Sequence, residues 1–526
     1  ANNDDNTGFR KNSDLFKIRY TGASSYLELS AQNTSETSHQ SYLGLTRADF
    51  NANEDRRYAA SSLDKMDNSY HRYILTYNMD LSPQTNFVGK LYKSKYSRNW
   101  KKVGEMKVAQ DGTADTDIST VEMGDIDWTT NCAAGTTAQK RACNIVTNAT
   151  AMVTGEYFKR SIGHRDYGMY GYDMRLNHVM GNHDITLGYR QHRDYRDRKD
   201  GGIFEYFTLG SNNTALNIDL DRDNSGTAND DYADAESFFI TDRITHGNFT
   251  TTLGLRSEDV DYWQYNSAST ASNSETMIAA STVYNMGNGK SVFAAFSQGY
   301  MPTGVSTVEP EDSDNFEIGY RVQKPGSYME IIGFHTDYDT LIETCGIQEG
   351  CGDSSQNAKN AGEAHVTGLE FVMNVDNMFG APQMKGADNM GSGIRYPLTI
   401  ALTLQEAEHD VTTSSTIVDG ARIAYTPEQI YYVSVGAETN DWSTQLSMKY
   451  NDDVYNKGVS TSDRTESGTV FDFNGSMALD NMGLAGARAF VNIDNVFDER
   501  YIRSAHNYGF NPNKPQTVMA GISLDF

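Results

Sequence analysis

The chain has no apolar run approaching the ~20 residues that a membrane-spanning helix needs. Proline is rare, 9 in 526 residues, and no Pro/Ser-rich linker separates unlike halves. At roughly 150 residues per domain the length would suggest three or four domains. The missing linkers argue instead for one unit over residues 1–526. Basic residues are in deficit: 44 Lys and Arg against 70 Asp and Glu, a net charge of -26. A nucleic-acid face must neutralise phosphates, so nucleic acid is excluded as a partner. There is no C-x-x-C pair, no nucleophile elbow and no phosphate-binding glycine loop. Ser, His and Asp are scattered, so the chain reads as no enzyme and catalytic residues are none.

What is abundant is tyrosine, phenylalanine and glycine, with 32, 22 and 45 residues. The mean hydropathy is nevertheless only -0.60. Alternation reconciles these facts. In 442–450, Trp442, Leu446, Met448 and Tyr450 share one face, while Ser443, Gln445, Ser447 and Lys449 share the other. In 470–479, Phe471, Phe473, Met477 and Leu479 oppose Asp472, Asn474 and Ser476. In 185–193, Ile185, Leu187 and Tyr189 oppose Thr186, Arg190 and His192. Period two with one apolar face marks a strand. A second face carrying Arg, His, Lys and Asp along whole strands suits a wet lumen, with lipid on the apolar side. The fold class is therefore all-β, a transmembrane antiparallel β-barrel bounded by outer-membrane lipid. Aromatic residues such as Tyr431, Trp442, Tyr450 and Phe526 are expected at its interfacial girdles.

Short connections (81–84, 181–183, 287–289, 439–440) alternate with long ones (34–68, 103–160, 199–233, 303–312, 452–467). Short turns on one rim and long loops on the other are the outer-membrane pattern, turns periplasmic and loops outside. The periodicity places strands at 14–20, 25–33, 69–81, 85–98, 166–180, 183–196, 234–245, 248–263, 275–286 and 290–301. Others follow at 312–323, 327–342, 363–377, 396–408, 427–438, 441–451, 468–479, 486–494 and 515–526. That makes about 19. The first and last of these both run toward the periplasm. A closed bacterial barrel is normally even-stranded, so roughly three strands are expected to come from outside this chain.

The four cysteines form two local pairs, Cys132 with Cys143 and Cys345 with Cys351, each in a segment that reads as a loop. Two short disulfides are expected, which implies an oxidising compartment. Zinc is the alternative, but no histidine lies beside either pair.

Several motifs carry a family resemblance. Asn492 to Tyr501 reads N-I-D-N-V-F-D-E-R-Y and is followed by the closing run Thr517 to Phe526. Phe316 to Tyr320 (F-E-I-G-Y), Ala361 to Glu370 (A-G-E-A-H-V-T-G-L-E) and Ala424 to Glu428 (A-Y-T-P-E) stand upstream. Together they resemble the C-terminal half of TonB-dependent outer-membrane transporters. Gly8-Phe9-Arg10 and the stretch Tyr42 to Tyr58 resemble the ferric-citrate-type branch of that siderophore receptor family. The resemblance implies a 22-stranded barrel with a plugged lumen in the outer membrane of a Gram-negative bacterium. It also implies that iron enters only as part of a ferric chelate, siderophore or citrate-like. Neither the plug nor a TonB box is recognisable in the chain. Coupling to the TonB system would then run through a plug not in this chain, with a second polypeptide as one source of plug and first strands. The alternative reading is a non-transporting or split barrel, acting as a surface receptor or a structural component of a larger complex.

An anionic chelate calls for fork-shaped cationic donors near the outer mouth. Arg56 and Arg57 in the first long loop, Arg98 at a strand top, and Arg190, His192, Arg196 and Arg198 along one strand are the candidate ligand-binding residues. Pairing with Asp194, Asp197 and the acidic loops is the competing role for each. Asp221, Asp223 and Ser225, with Asp230 close by, have the spacing of a calcium loop in an outer loop, though Tyr232 stands where the bidentate Glu belongs. No other cofactor is implied.

Overall fold

The structure, a computed structural model, describes residues 8–524 except 129, 199–202, 211–215, 225–228, 265–268, 305–306, 346–356, 380–392, 413–418, 456–463 and 507. The strands in chain order begin with β1 (Phe9–Thr21), β2 (Ser25–Ser38), β3 (Lys65–Ser82), β4 (Thr85–Ala109), β5 (Ile118–Glu122) and β6 (Tyr157–Met180). Then come β7 (His183–Arg198), β8 (Ile203–Leu209), β9 (Leu216–Asn224), β10 (Asn229–His246), β11 (Phe249–Gln264) and β12 (Ser269–Gly287). They continue with β13 (Lys290–Met301), β14 (Glu311–Lys324), β15 (Ser327–Cys345), β16 (Asn357–Val375), β17 (Leu398–Thr412) and β18 (Gln429–Glu438). The last are β19 (Trp442–Asn451), β20 (Gly468–Ala478), β21 (Ala487–Asp494), β22 (Ile502–His506), β23 (Gly509–Pro512) and β24 (Thr517–Leu524). Two short helices, α1 (Arg47–Ala52) and α2 (Thr137–Val146), lie in outer connections. No described helix is long and apolar enough to cross a membrane, which says nothing of crossing by strands.

Twenty-two strands make one sheet, and β22–β23 form a separate hairpin. β5, β8 and β9 are side branches that pair at the outer ends of β4 and β6. The remaining nineteen form an antiparallel meander in which each strand pairs with the next, from β1–β2 through β4–β6, β7–β10 and on to β21–β24. Tight turns join the periplasmic ends. Asn288 and Gly289 both take left-handed backbone (φ 54° and 73°), as a two-residue hairpin turn demands. Among the described residues β1 and β24 pair on one side only, and both run in the same direction.

The apolar face is the exposed one, as expected where lipid is the solvent. Leu75, Leu91, Met174, Leu187, Ile240, Leu255, Ile318, Leu404 and Ile522 alternate outward along their strands. This band covers only part of each strand. β4 has 25 residues and β6 has 24, against the ~9–11 needed to cross. Their outer halves rise far above the membrane, where the sequence periodicity fades, so the strands expected to end at 98 and to begin at 166 are in fact longer.

Buried apolar side chains gather in one outer cap. Val103, Met106, Val108 and Phe158 from the upper parts of β4 and β6 meet Leu43, Leu45 and Phe50 of the β2–β3 connection. Ala142 and Ile145 of α2, Phe207 of β8, and Ile502 and Phe510 of the last outer connection complete it. Helix α2 begins in a capping box, Thr136 and Gln139 each accepting the other's backbone N–H. It is joined to the preceding segment by the Cys132–Cys143 disulfide, so that Cys143 sits on a helix and not in a loop. The other expected bridge lies outside the described residues at Cys351; Cys345 ends β15.

Candidate functional site

The inward face of β4, β6 and β7 carries the cations. Alternation turns Tyr92, Tyr96, Arg98 and Trp100 of β4 toward the lumen, opposite Leu91 on the lipid side. Register then places Arg98 directly opposite Arg165, and Arg165 directly opposite Arg198. Three arginines on adjacent strands thus share one row. The next row inward is Tyr96, Tyr167 and Arg196, the two tyrosine rings 6.1 Å apart. Arg198 lies about 30 Å along its strand beyond the lipid-facing Tyr189, so this surface belongs to the outer vestibule.

The expected site residues divide by what holds them. Arg56 donates to Asp49 and to the Thr147 carbonyl (3.4 Å). Arg57 donates to the carbonyls of His39 (2.8 Å) and Ser61 (2.5 Å). Burial pushes the Arg57 pKa down from the usual guanidinium value. Both therefore brace the cap. Arg196 pairs with Asp231. His192 Nε2 lies 3.3 Å from Asp194. Arg190 donates to the Tyr92 hydroxyl at 3.0 Å. Arg98 differs: its guanidinium carbon is 5.4 Å from the Trp100 ring centre and 5.8 Å from that of Tyr167. Its Nε is buried with no hydrogen-bond partner among the described residues. Alternation along the chain points to Arg98 and Arg198 but not to Arg165. Only cross-strand register shows that the three share a row.

The cap above this face has its own buried charges. Asp64 is fully buried, accepting from Ser41 Oγ at 2.6 Å and from the Val103 N–H at 2.9 Å. Loss of water pushes its pKa up to about 7, although these donors and the charges of Arg57 and Arg160 pull it down. Arg160 donates to the Leu63 carbonyl and to Glu205. Glu156 is enclosed by Arg141 (2.6 and 2.8 Å) and the N–H groups of Ala109 and Val153.

The calcium-like spacing lands differently from expectation. Asp221 and Asp223 fall in strand β9, not in a loop, Ser225 lies outside the described residues, and Asp230 is the second residue of β10, opposite Asp197. Among the described residues no group of three or more His, Cys, Asp or Glu is arranged for a metal.

A lipid-facing apolar band, a polar lumen and long outer connections define an outer-membrane β-barrel. The TonB-dependent receptor-like β-barrel model matches residues 2–496, and the chain belongs to that family. Its members are transporters of the Gram-negative outer membrane and not enzymes. Among solved structures, the ferric citrate transporter FecA superposes with a TM-score of 0.71 at 15% identity, covering 98% of this chain and 70% of that one. The ferric-catecholate import receptor Fiu from E. coli K12 has a TM-score of 0.71 at 13% identity, covering 98% and 75%. The siderophore receptor PiuA from Acinetobacter baumannii has a TM-score of 0.71 at 12% identity, covering 98% and 74%. At such identities the likeness is one of fold.

Proposed function

We propose that this barrel takes up an anionic ferric chelate in a TonB-dependent manner, with the first contact on the arginine row of the outer vestibule. The observation that carries this reading is the register Arg98–Arg165–Arg198 on the lumen face. A polycarboxylate or catecholate accepts forked, charge-assisted hydrogen bonds from guanidinium groups set in such a row. Arg98 is the leading contact, because aromatic faces position it and its Nε has no hydrogen-bond partner among the described residues. Arg198, Arg196, His192 and Arg190 continue the candidate surface down one strand, with Arg196 already paired to Asp231 and His192 beside Asp194. The ligands named for the three solved neighbours, ferric citrate, ferric catecholate and siderophore, support the chelate class.

Gating and energy would reach the lumen through a plug and TonB, both acting from outside residues 1–526. The parallel directions of β1 and β24 mean that an antiparallel closure takes an odd number of further strands, whether from the same or a second polypeptide.

The test is binding of radio-iron chelates to cells displaying the protein. Arg98→Ala is expected to weaken ferric citrate binding about tenfold or more, as loss of a charged hydrogen-bond donor would. A neutral ferric hydroxamate should be unaffected. Unchanged citrate binding in an Arg98→Ala/Arg165→Ala double variant rejects the site.

A further inference from the structure

The outward face of the same strands poses a separate question. Beyond the apolar band, several strands present an ionisable residue to the outer leaflet. On β10, β11, β14 and β17 these are Glu236, Asp259, Asp314 and Glu406, all acidic. On β3, β4 and β7 they are His71, Lys93 and Arg193. Register also puts His335 and His365 outward on β15 and β16 and Asp166 outward on β6, so the belt is mixed, and among these strands only β4 and β7 present Lys or Arg first.

Register gathers these basic residues into a patch. Tyr73, Lys93, Tyr170 and Arg193 follow one another across β3, β4, β6 and β7 in a single row. His71 and Lys95 stand opposite each other one step further out. Leu75 and Leu91 lie one step inward, so the patch begins where the apolar band stops. Tyr73 is 53% exposed, Tyr170 45% and Leu91 57%. Lys95 lies 3.0 Å from Asp166, and Arg193 pairs with Asp234. Exposed Lys93 has no carboxylate within 4.0 Å among the described residues, and lies between two tyrosines.

We propose that this outward patch on β3–β7 is a docking site for a phosphorylated lipid headgroup of the outer leaflet. Charge complementarity selects the occupant. In a chain of net charge -26, β4 and β7 present Lys and Arg at lipid headgroup depth, and anionic headgroups attract such residues. Exposed tyrosines belong at the same depth, ring in the apolar layer and hydroxyl in the polar one. Lys93 supplies the uncommitted charge, Lys95 a second that trades Asp166 for phosphate, and the tyrosines flank the upper acyl segment. The site is on the opposite side of the wall from the arginine row. It stands or falls independently of the chelate.

The test uses the purified chain in a non-ionic detergent, titrated with lipid A bisphosphate or its dephosphorylated form and read by native mass spectrometry. The bisphosphate form should bind at least about tenfold tighter. Lys93→Gln, at an exposed position that leaves the fold alone, should lose about fivefold of that preference, and Lys93→Gln/Lys95→Gln more. Lys93→Arg/Lys95→Arg should keep it, and Glu236→Gln should not change it. Equal binding of the two lipid A forms, or an unaltered preference in the double glutamine variant, overturns the proposal. Competition by inorganic phosphate at the same concentration as lipid A also overturns it, because the site would then recognise free phosphate.

Discussion

The lower wall and the outer cap are built on opposite solvents. In the wall the apolar side chains point away from the chain: Leu255 is 43% exposed and Ile318 69%. Lipid supplies the environment that a core would otherwise provide, so each strand needs apolar residues at alternate positions only. The cap stands in water and must make its own interior. Phe158, Met106, Val108 and Ile145 are wholly buried there, together with Asp64 and with Glu156, whose partner Arg141 is partly buried. The difference teaches that a barrel without a core can still carry one, where its strands outrun the membrane. The cap also joins distant parts of the sheet. Leu45 and Phe510 bond through their backbones at 2.9 Å in both directions, and Gly44 packs so closely that a Cβ would lie 2.7 Å from the Phe510 carbonyl oxygen. Arg47 pairs with Glu466, and Arg500 with Asp55. Connections that leave β2 and enter β24 are thereby fastened together above the wall.

The sharpest way to break the comparison is to remove one large side chain from each region. Phe158→Ala should destabilise the cap by about 3–5 kcal/mol, because it leaves a cavity in a packed interior. Leu255→Ala should cost about 1 kcal/mol or less, since lipid fills the space. Protease sensitivity of the outer connections, measured against heat-modifiable mobility of the barrel, separates the two. Equal losses at both positions would mean that the wall is packed like the cap.

Next in size is the acid dependence of the cap. The folded pKa of Asp64 is raised to about 7, above the usual carboxylate value. Folded protein therefore holds a proton that the unfolded chain releases, and stability falls as pH rises from about 4 to about 7, then levels. The expected loss between pH 5 and pH 8 is about 3 kcal/mol, read as protection of residues 39–64 by hydrogen exchange. Asp64→Asn should flatten that dependence while leaving the wall unchanged. A profile unaffected by Asp64→Asn would assign the titration elsewhere.

The smallest effect belongs to the wall. Arg19 and Glu28 pair across β1 and β2 at 2.7 Å, but Arg19 is half exposed. Replacing both by neutral residues should shift barrel stability little or not at all, measured by denaturant unfolding in detergent at low and high salt. A larger, salt-insensitive loss would show that the wall, too, relies on desolvated charge.

The ease of reading the two regions follows the same divide. The strand expected at 441–451 is Trp442–Asn451, because its neighbours along the chain alone state which face meets lipid. Nineteen strands are countable for that reason. Helix α2 is not legible: ten residues with a weak apolar stripe, sealed by packing on β4 and β5, look like a polar loop. The upper halves of β4 and β6 also escape the pattern, since above the membrane both faces are polar or both are buried. Arg56 and Arg57 look like ligand contacts because their partners, His39, Ser61, Asp49 and Thr147, give no sign in sequence of converging on them.

Sequence by itself determined the class of the protein, its membrane-facing residues and the order of its strands. A two-residue period is a local property, and lipid on one side enforces it strand by strand. Tertiary structure alone decided that Arg98, Arg165 and Arg198 share a row, that Leu45 meets Phe510, and that Asp64 loses its water. Those facts depend on register and on contacts between residues far apart in the chain, which no local pattern encodes.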